Sequence, residues 1–188
     1  MKQINLPLAI SLMILFLIVG LASGYFISPS YQQTMYTKEE MGLGQSDRFV
    51  DLRYINQMAA HHRGAMLLAE QVALKTHRKE IKDLTTAINE GEPKLITELY
   101  SWKKAWYNDT SKVKDPVVAN LGGADEKTDL RFLNALIAHH EAGIAMTKEI
   151  RTKSTRREVL DNADMVESFL SGGVTTLKQW RENWYGVK

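Results

Sequence analysis

Residues 51–62 read DLRYINQMAAHH, and residues 129–140 read DLRFLNALIAHH. Working outward from this pair, Asp47–Tyr107 aligns with Asp125–Tyr185 at a constant offset of 78 without a gap, with 17 identities in 61 positions. At the far end Trp102, Trp106 and Tyr107 return as Trp180, Trp184 and Tyr185. An internal repeat of this kind fixes architecture before any single residue does, because each copy is one supersecondary unit with a face that it cannot bury alone.

Each copy reads as a pair of helices. Tyr54, Met58, His61, Ala65, Leu68 and Val72 recur at spacings of three and four, as do Phe132, Leu136, His139, Gly143 and Met146. That period marks an amphipathic helix. Second helices follow, on Ile81, Leu84, Ile88, Leu95, Leu99 and Trp102, and on Val159, Val166, Leu170, Val174, Leu177 and Trp180. Glu92-Pro93 and Gly172-Gly173 fall at nearly equivalent places, so both second helices are expected to bend or break there. No segment alternates as a strand would. Asn108–Asp125, with Pro116 and Gly122-Gly123, is the linker. The fold class is therefore all-α: a four-helix bundle of two duplicated hairpins (47–107 and 125–185) spanning 46–186. In up-down-up-down order the first and third helices are expected to run parallel across a diagonal, with equivalent residues facing through the core.

The N-terminal end differs in kind. Between Gln3 and Thr37 there is no Asp, Glu, Lys or Arg, and Leu6–Ile27 is an apolar run of 22 residues, against the roughly 20 that span a bilayer. Residues 1–28 thus read as a transmembrane anchor in contact with membrane lipid, and 29–45 as a tether. Lys2 and the amino terminus keep that end cytoplasmic, placing the bundle on the periplasmic or extracellular side. A cleaved signal peptide is the rival reading, from the small residues Gly20, Ala22, Ser23 and Gly24.

Composition removes several function classes. Basic and acidic side chains number 24 and 22, a balance that gives no support for nucleic-acid binding. With no cysteine, disulfides, thiolate metal sites and iron–sulfur clusters are excluded. His-Glu-x-x-His, phosphate loops and nucleophile elbows are missing, and Met58, Ala59, Leu136 and Ile137 stand where the glutamate of a di-iron Glu-x-x-His motif would be. The expectation is a protein that is not an enzyme.

What remains is a layer of histidine. His61-His62 and His139-His140 lie near the middle of their helices, and neighbours about 100° apart around the axis let one ring face inward and the other sideways. Gly64, Ala65, Ala142 and Gly143 leave room beside them. Met58 and Met66 flank His62 by one turn each, and Met146 follows His139 by two. Imidazole with thioether suits Cu(I), and imidazole alone suits Cu(II) or Zn(II). The candidate metal ligands are therefore His61, His62, His139 and His140, with Met58, Met66 and Met146. Core histidines satisfied by hydrogen bonds, in a structural or assembly subunit with a membrane-protein partner, are the other reading; a proton-responsive cluster is a third. His77 has no repeat partner and reads as a surface residue. Asp51 and Asp129, about 16 Å along the axis from His62 and His140, cannot share a metal with them and read as end-layer ion pairs beside Arg53 and Arg131. The four tryptophans read as one aromatic layer capping that same end.

Asp51, Tyr54, Met58, His61, His62 and Ala65 form a pattern that resembles the domain-of-unknown-function 305 family over roughly residues 46–185. The resemblance implies a ferritin-like bundle, commonly exported, with copper binding in some members, which sets a copper ion ahead of zinc or of no metal. Carried over by position, it marks Asp51, Met58, His61 and His62 in the first copy and Asp129, His139, His140 and Met146 in the second. Leu136 and Leu68 depart from it where methionines are expected.

Overall fold

A computed structural model describes residues 42–187, all within one compact unit, Tyr31–Lys188. The expected membrane helix over 1–28 and most of the tether lie outside the described residues; among those described, no helix is long and apolar enough to cross a membrane. Four helices and no strand are present there: α1 (Val50–Val72), α2 (Lys79–Tyr107), α3 (Thr128–Arg151) and α4 (Arg157–Tyr185).

Local chemistry repeats as faithfully as the sequence. Asp47 accepts the Phe49 N–H at 2.9 Å and Asp125 accepts the Lys127 N–H at 2.8 Å, turning the chain into α1 and α3. Thr76 and Ser154 take the N–H groups of Arg78 and Arg156 before α2 and α4. Asn108 and Gly186 close those helices in the left-handed region, at φ 51° and 66°. The repeat also begins earlier than Asp47. Arg53 and Arg131 donate through Nε to the carbonyls of Leu43 and Leu121 and pair with Asp47 and Asp125.

The expected break in the second helices and the parallel course of the first and third are corrected here. First, α2 and α4 are each continuous over 29 residues. Pro93 cannot donate to the Asn89 carbonyl, yet Ile88 before it and Leu99 after it are buried on one face, and in long helices packing outweighs local propensity. Second, α1 and α3 do not run parallel across a diagonal. They pack directly on one another and run antiparallel. The Leu43 N–H meets the Glu149 carboxylate at 3.0 Å and the Ser46 hydroxyl meets the Lys153 carbonyl at 2.7 Å, so the start of α1 lies beside the end of α3.

The linker is the cause. Residues 108–127 run back along the first hairpin from its open end to its turn, held by Lys103 to Ser111 (2.7 Å), Arg63 to Asp115 (2.9 Å), Gln71 to Ala119 and Leu121 (both 2.9 Å) and Lys75 to Gly122 (2.7 Å). The topology is up-down, one long crossover, then down-up.

Antiparallel hairpins related by a pseudo-twofold axis exchange their end contacts. Asp51 pairs with Arg156 at 3.2 Å and Asp129 with Arg78 at 3.5 Å, rather than with Arg53 and Arg131. Arg156 lies 4.1 Å over Trp106, and Arg78 4.3 Å over Trp184. The tryptophans therefore form two stacks, Trp102 on Trp106 and Trp180 on Trp184, both at 5.3 Å, at opposite ends of the four-helix bundle instead of the one layer expected. One core cluster joins the open end of the first hairpin to the turn of the second, around Tyr54, Met58, Ile150 and Val159; the other joins the reverse pair, around Leu68, Val72, Phe132 and Leu136.

One buried polar pair breaks the symmetry in a matched way. The Tyr54 hydroxyl donates to Asn162 Oδ1 at 2.8 Å with both residues buried, while the equivalent positions hold Phe132 and Leu84. Asn162→Leu alone strands a buried hydroxyl and is expected to cost about 1–3 kcal/mol. Adding Tyr54→Phe recreates the other copy and should recover most of that loss, giving a clear coupling term in a denaturant-unfolding double-mutant cycle.

Candidate functional site

The antiparallel crossing puts the midpoints of α1 and α3 together, and the histidines stand at those midpoints. The His61 and His139 rings stack with centroids 3.8 Å apart and planes 16° apart. His61 Nε2 lies 3.0 Å from the His139 carbonyl oxygen, so it is the protonated nitrogen and Nδ1 carries the lone pair. That Nδ1 is buried with no hydrogen-bond partner. The close approach depends on Gly143. A Cβ there would sit 2.5 Å from Leu170 Cδ1 and 2.6 Å from His61 Nε2, well inside contact distance.

His62 and His140 point sideways, each towards the second helix of its own hairpin, and the two surroundings differ. His62 Nδ1 meets Glu92 Oε2 at 2.5 Å. As donor to that carboxylate, the ring presents its Nε2 lone pair, which is buried and unpartnered. A carboxylate behind an imidazole fixes tautomer and orientation and raises the basicity of the free nitrogen, as second partners of metal ligands do. His140 lies against Gly173, whose Cβ would come 3.3 Å from Cε1; its Nδ1 is also buried without a partner. The position equivalent to Glu92 is Leu170.

Burial keeps His61, His139 and His140 neutral. Burial, followed by repulsion from His62, lowers His61 to about 4, against smaller raising effects from the His139 backbone and Glu92. Burial first, then the neighbouring His61, His140 and His62, holds His139 well below its ordinary value. Burial and His61 bring His140 down to about 3. At neutral pH these three rings therefore keep a lone pair.

All four histidines and Glu92 border one cavity of about 470 Å³, open to solvent on one side and lined otherwise by Lys94 and mainly apolar side chains of α2 and α4 such as Ile88, Leu95 and Val166. The expected methionines are not on its wall. Met58 and Met146 are buried in one apolar cluster, and Met66 packs on the other. The wall instead holds Met165. Glu92 had a sequence signal: it sits at the step between Ile88 and Leu95 where the apolar stripe of α2 should continue. Met165 had none, since it lies beside its stripe rather than on it. His77 is exposed, and Asp51 and Asp129 belong to the helix ends. Among the described residues, no three His, Asp or Glu side chains gather closely enough to hold a metal by themselves.

The chain is similar to known proteins. The family described as Domain of unknown function (DUF305) matches residues 51–129, and the resemblance read from the motif holds there. No curated protein matches the chain. Among solved structures, CopM in the Cu(I)-bound form is 26% identical, with a TM-score of 0.61 over 72% of this chain and 97% of that one. CopM in the Cu(II)-bound form is 27% identical, with a TM-score of 0.62 over 72% and 98%. A DUF305 fragment from Deinococcus radiodurans, 18% identical with a TM-score of 0.62 over 71% and 95%, shares the fold.

Two outcomes test the geometry. Gly143→Ala should destabilise the protein by about 1–3 kcal/mol through overpacking, whereas Gly172→Ala, with nothing within 4 Å of the new Cβ, should stabilise α4 by about 0.5–1 kcal/mol; chemical denaturation reads both. The histidines make stability pH-dependent. The folded values of His61, His139 and His140 lie below the unfolded one, so at these three the unfolded chain binds more protons. Stability is then full above about pH 6.5 and falls on acidification towards pH 4, at about 1.4 kcal/mol per pH unit for each proton. Unfolding free energies across that range should show uptake of more than one proton, reduced in His140→Gln.

Proposed function

We propose that the chain binds a copper ion at the histidine layer, holding or buffering it rather than transforming a substrate. One observation carries this reading: His61, His62 and His140 each keep a buried ring nitrogen without a hydrogen-bond partner around a shared cavity. Buried polar atoms in native proteins are nearly always satisfied, and a cation between His62 and His140 supplies what those ring nitrogens lack. CopM, similar in fold and 26% identical, is known in Cu(I)-, Cu(II)- and Ag-bound forms, which supports copper over zinc. Imidazole nitrogen binds Cu(I), Cu(II) and Zn(II) alike, so the histidines alone do not choose.

In this reading His62 and His140 hold the ion, Glu92 orients His62, and the His61–His139 stack forms the floor. When bound, copper supplies a soft cationic centre. The protein supplies neutral donors, a fixed tautomer and apolar walls that limit water. The apolar, uncharged run over 6–27 and Lys2 support a membrane anchor with the bundle on the extracytoplasmic side, where such a protein would intercept metal before entry. A second reading, histidines as internal hydrogen-bonding groups of an assembly subunit, draws on the His61–His139 and His62–Glu92 contacts.

The two part in one experiment. Titrating the protein, purified without a histidine tag, with Cu(I), Cu(II) and Zn(II) should give stoichiometric copper binding that His62→Ala/His140→Ala abolishes. Binding that survives the double substitution would remove the assigned site, and no binding at all would favour the assembly subunit.

A further inference from the structure

The two halves of the cavity wall are equivalent in backbone and unlike in chemistry. On the α2 side stands Glu92, bonded to His62; its counterpart on α4 is Leu170, so His140 faces no carboxylate from that position. On the α4 side stands Met165, whose counterpart on α2 is Ala87. Both Met165 and Ala87 border the cavity, so the duplication has placed a thioether in one half only. Met165 is 57% exposed, and Phe169, one turn on, is 70% exposed beside it. Met165 thus bridges the outside and the chamber that holds the histidines.

We propose that Met165 is a metal ligand at the cavity mouth, making the site selective for a soft monovalent cation, Cu(I) or Ag(I), over Zn(II). The proposal rests on the copper-binding reading of the histidine layer and adds to it a residue and a selectivity. A thioether is a soft, uncharged donor that favours Cu(I), whereas zinc sites take imidazole, thiolate and carboxylate. Three rotatable bonds let the sulfur swing between solvent and cavity with the backbone fixed. The three methionines nearest the histidines in sequence cannot do this, since Met58 and Met146 are sealed in apolar core and Met66 packs outside the cavity. Phe169, one turn further along α4, borders the same cavity.

The experiment compares full-length wild type, Met165→Leu, Met58→Leu and His62→Ala/His140→Ala. Cu(I) affinity is read by competition with a chromophoric chelator, Zn(II) affinity by the corresponding zinc indicator, and Cu–S contact by X-ray absorption. Met165→Leu keeps the volume and, at an exposed position, the fold. It should weaken Cu(I) binding at least about tenfold, the scale on which even outer partners of a metal count, and remove the sulfur contact, with Zn(II) affinity unchanged. Met58→Leu should alter neither. Unchanged Cu(I) affinity and a retained sulfur contact in Met165→Leu would overturn the proposal, as would loss of that contact in Met58→Leu instead. Cu(I) binding that survives His62→Ala/His140→Ala would instead overturn the histidine site itself, a result distinguishable from either.

Discussion

The contact of α1 with α3 at their midpoints governs the rest of the molecule. His61 stacks on His139 at 3.8 Å, and this is reached only because residue 143 lacks a Cβ. Close approach there brings two buried imidazoles and two flanking ones around one chamber. Burial then drives protons off His61, His139 and His140, since a charged ring loses its hydration while its neighbours repel it. Packing and donor chemistry are thus one constraint: the helices can meet so closely only if the stacked rings are neutral, and a neutral ring keeps a lone pair.

The pseudo-twofold axis explains both what is duplicated and what is not. Structural contacts come in pairs: Arg53 with Arg131 on their loop carbonyls, and Arg78 with Arg156 exchanged between hairpins onto Asp129 and Asp51. These exchanges tie each hairpin's turn to the other's open end. At the cavity the pairing stops. Glu92 and Met165 each lack a chemical twin, and the His62 and His140 sides become a carboxylate-supported imidazole and an imidazole among apolar groups. A duplicated scaffold with an unduplicated wall is what a site needs when an asymmetric set of donors serves one ion.

Much of this was legible in the residues. The 78-residue offset, the helical period and the absence of strands follow from local rules, because a stripe at spacings of three and four reports which face is buried wherever the helix packs. The paired histidines on those stripes were legible as a buried layer for the same reason. Glu92 was legible as a charge on an apolar stripe, though beside Pro93 it reads more naturally as a helix break.

Sequence by itself determined the duplication, the four amphipathic helices and the central position of the histidines. Tertiary structure alone decided the direction in which α1 meets α3. An apolar stripe reads the same from either end, so its period cannot tell parallel from antiparallel; the path of residues 108–127 along the first hairpin settles that. From that direction follow the exchanged arginine partners, the two separate tryptophan stacks, and a cavity wall that takes Met165 and leaves out Met58, Met66 and Met146. Which side chains share a chamber depends on contacts between segments tens of residues apart, and no local pattern encodes them.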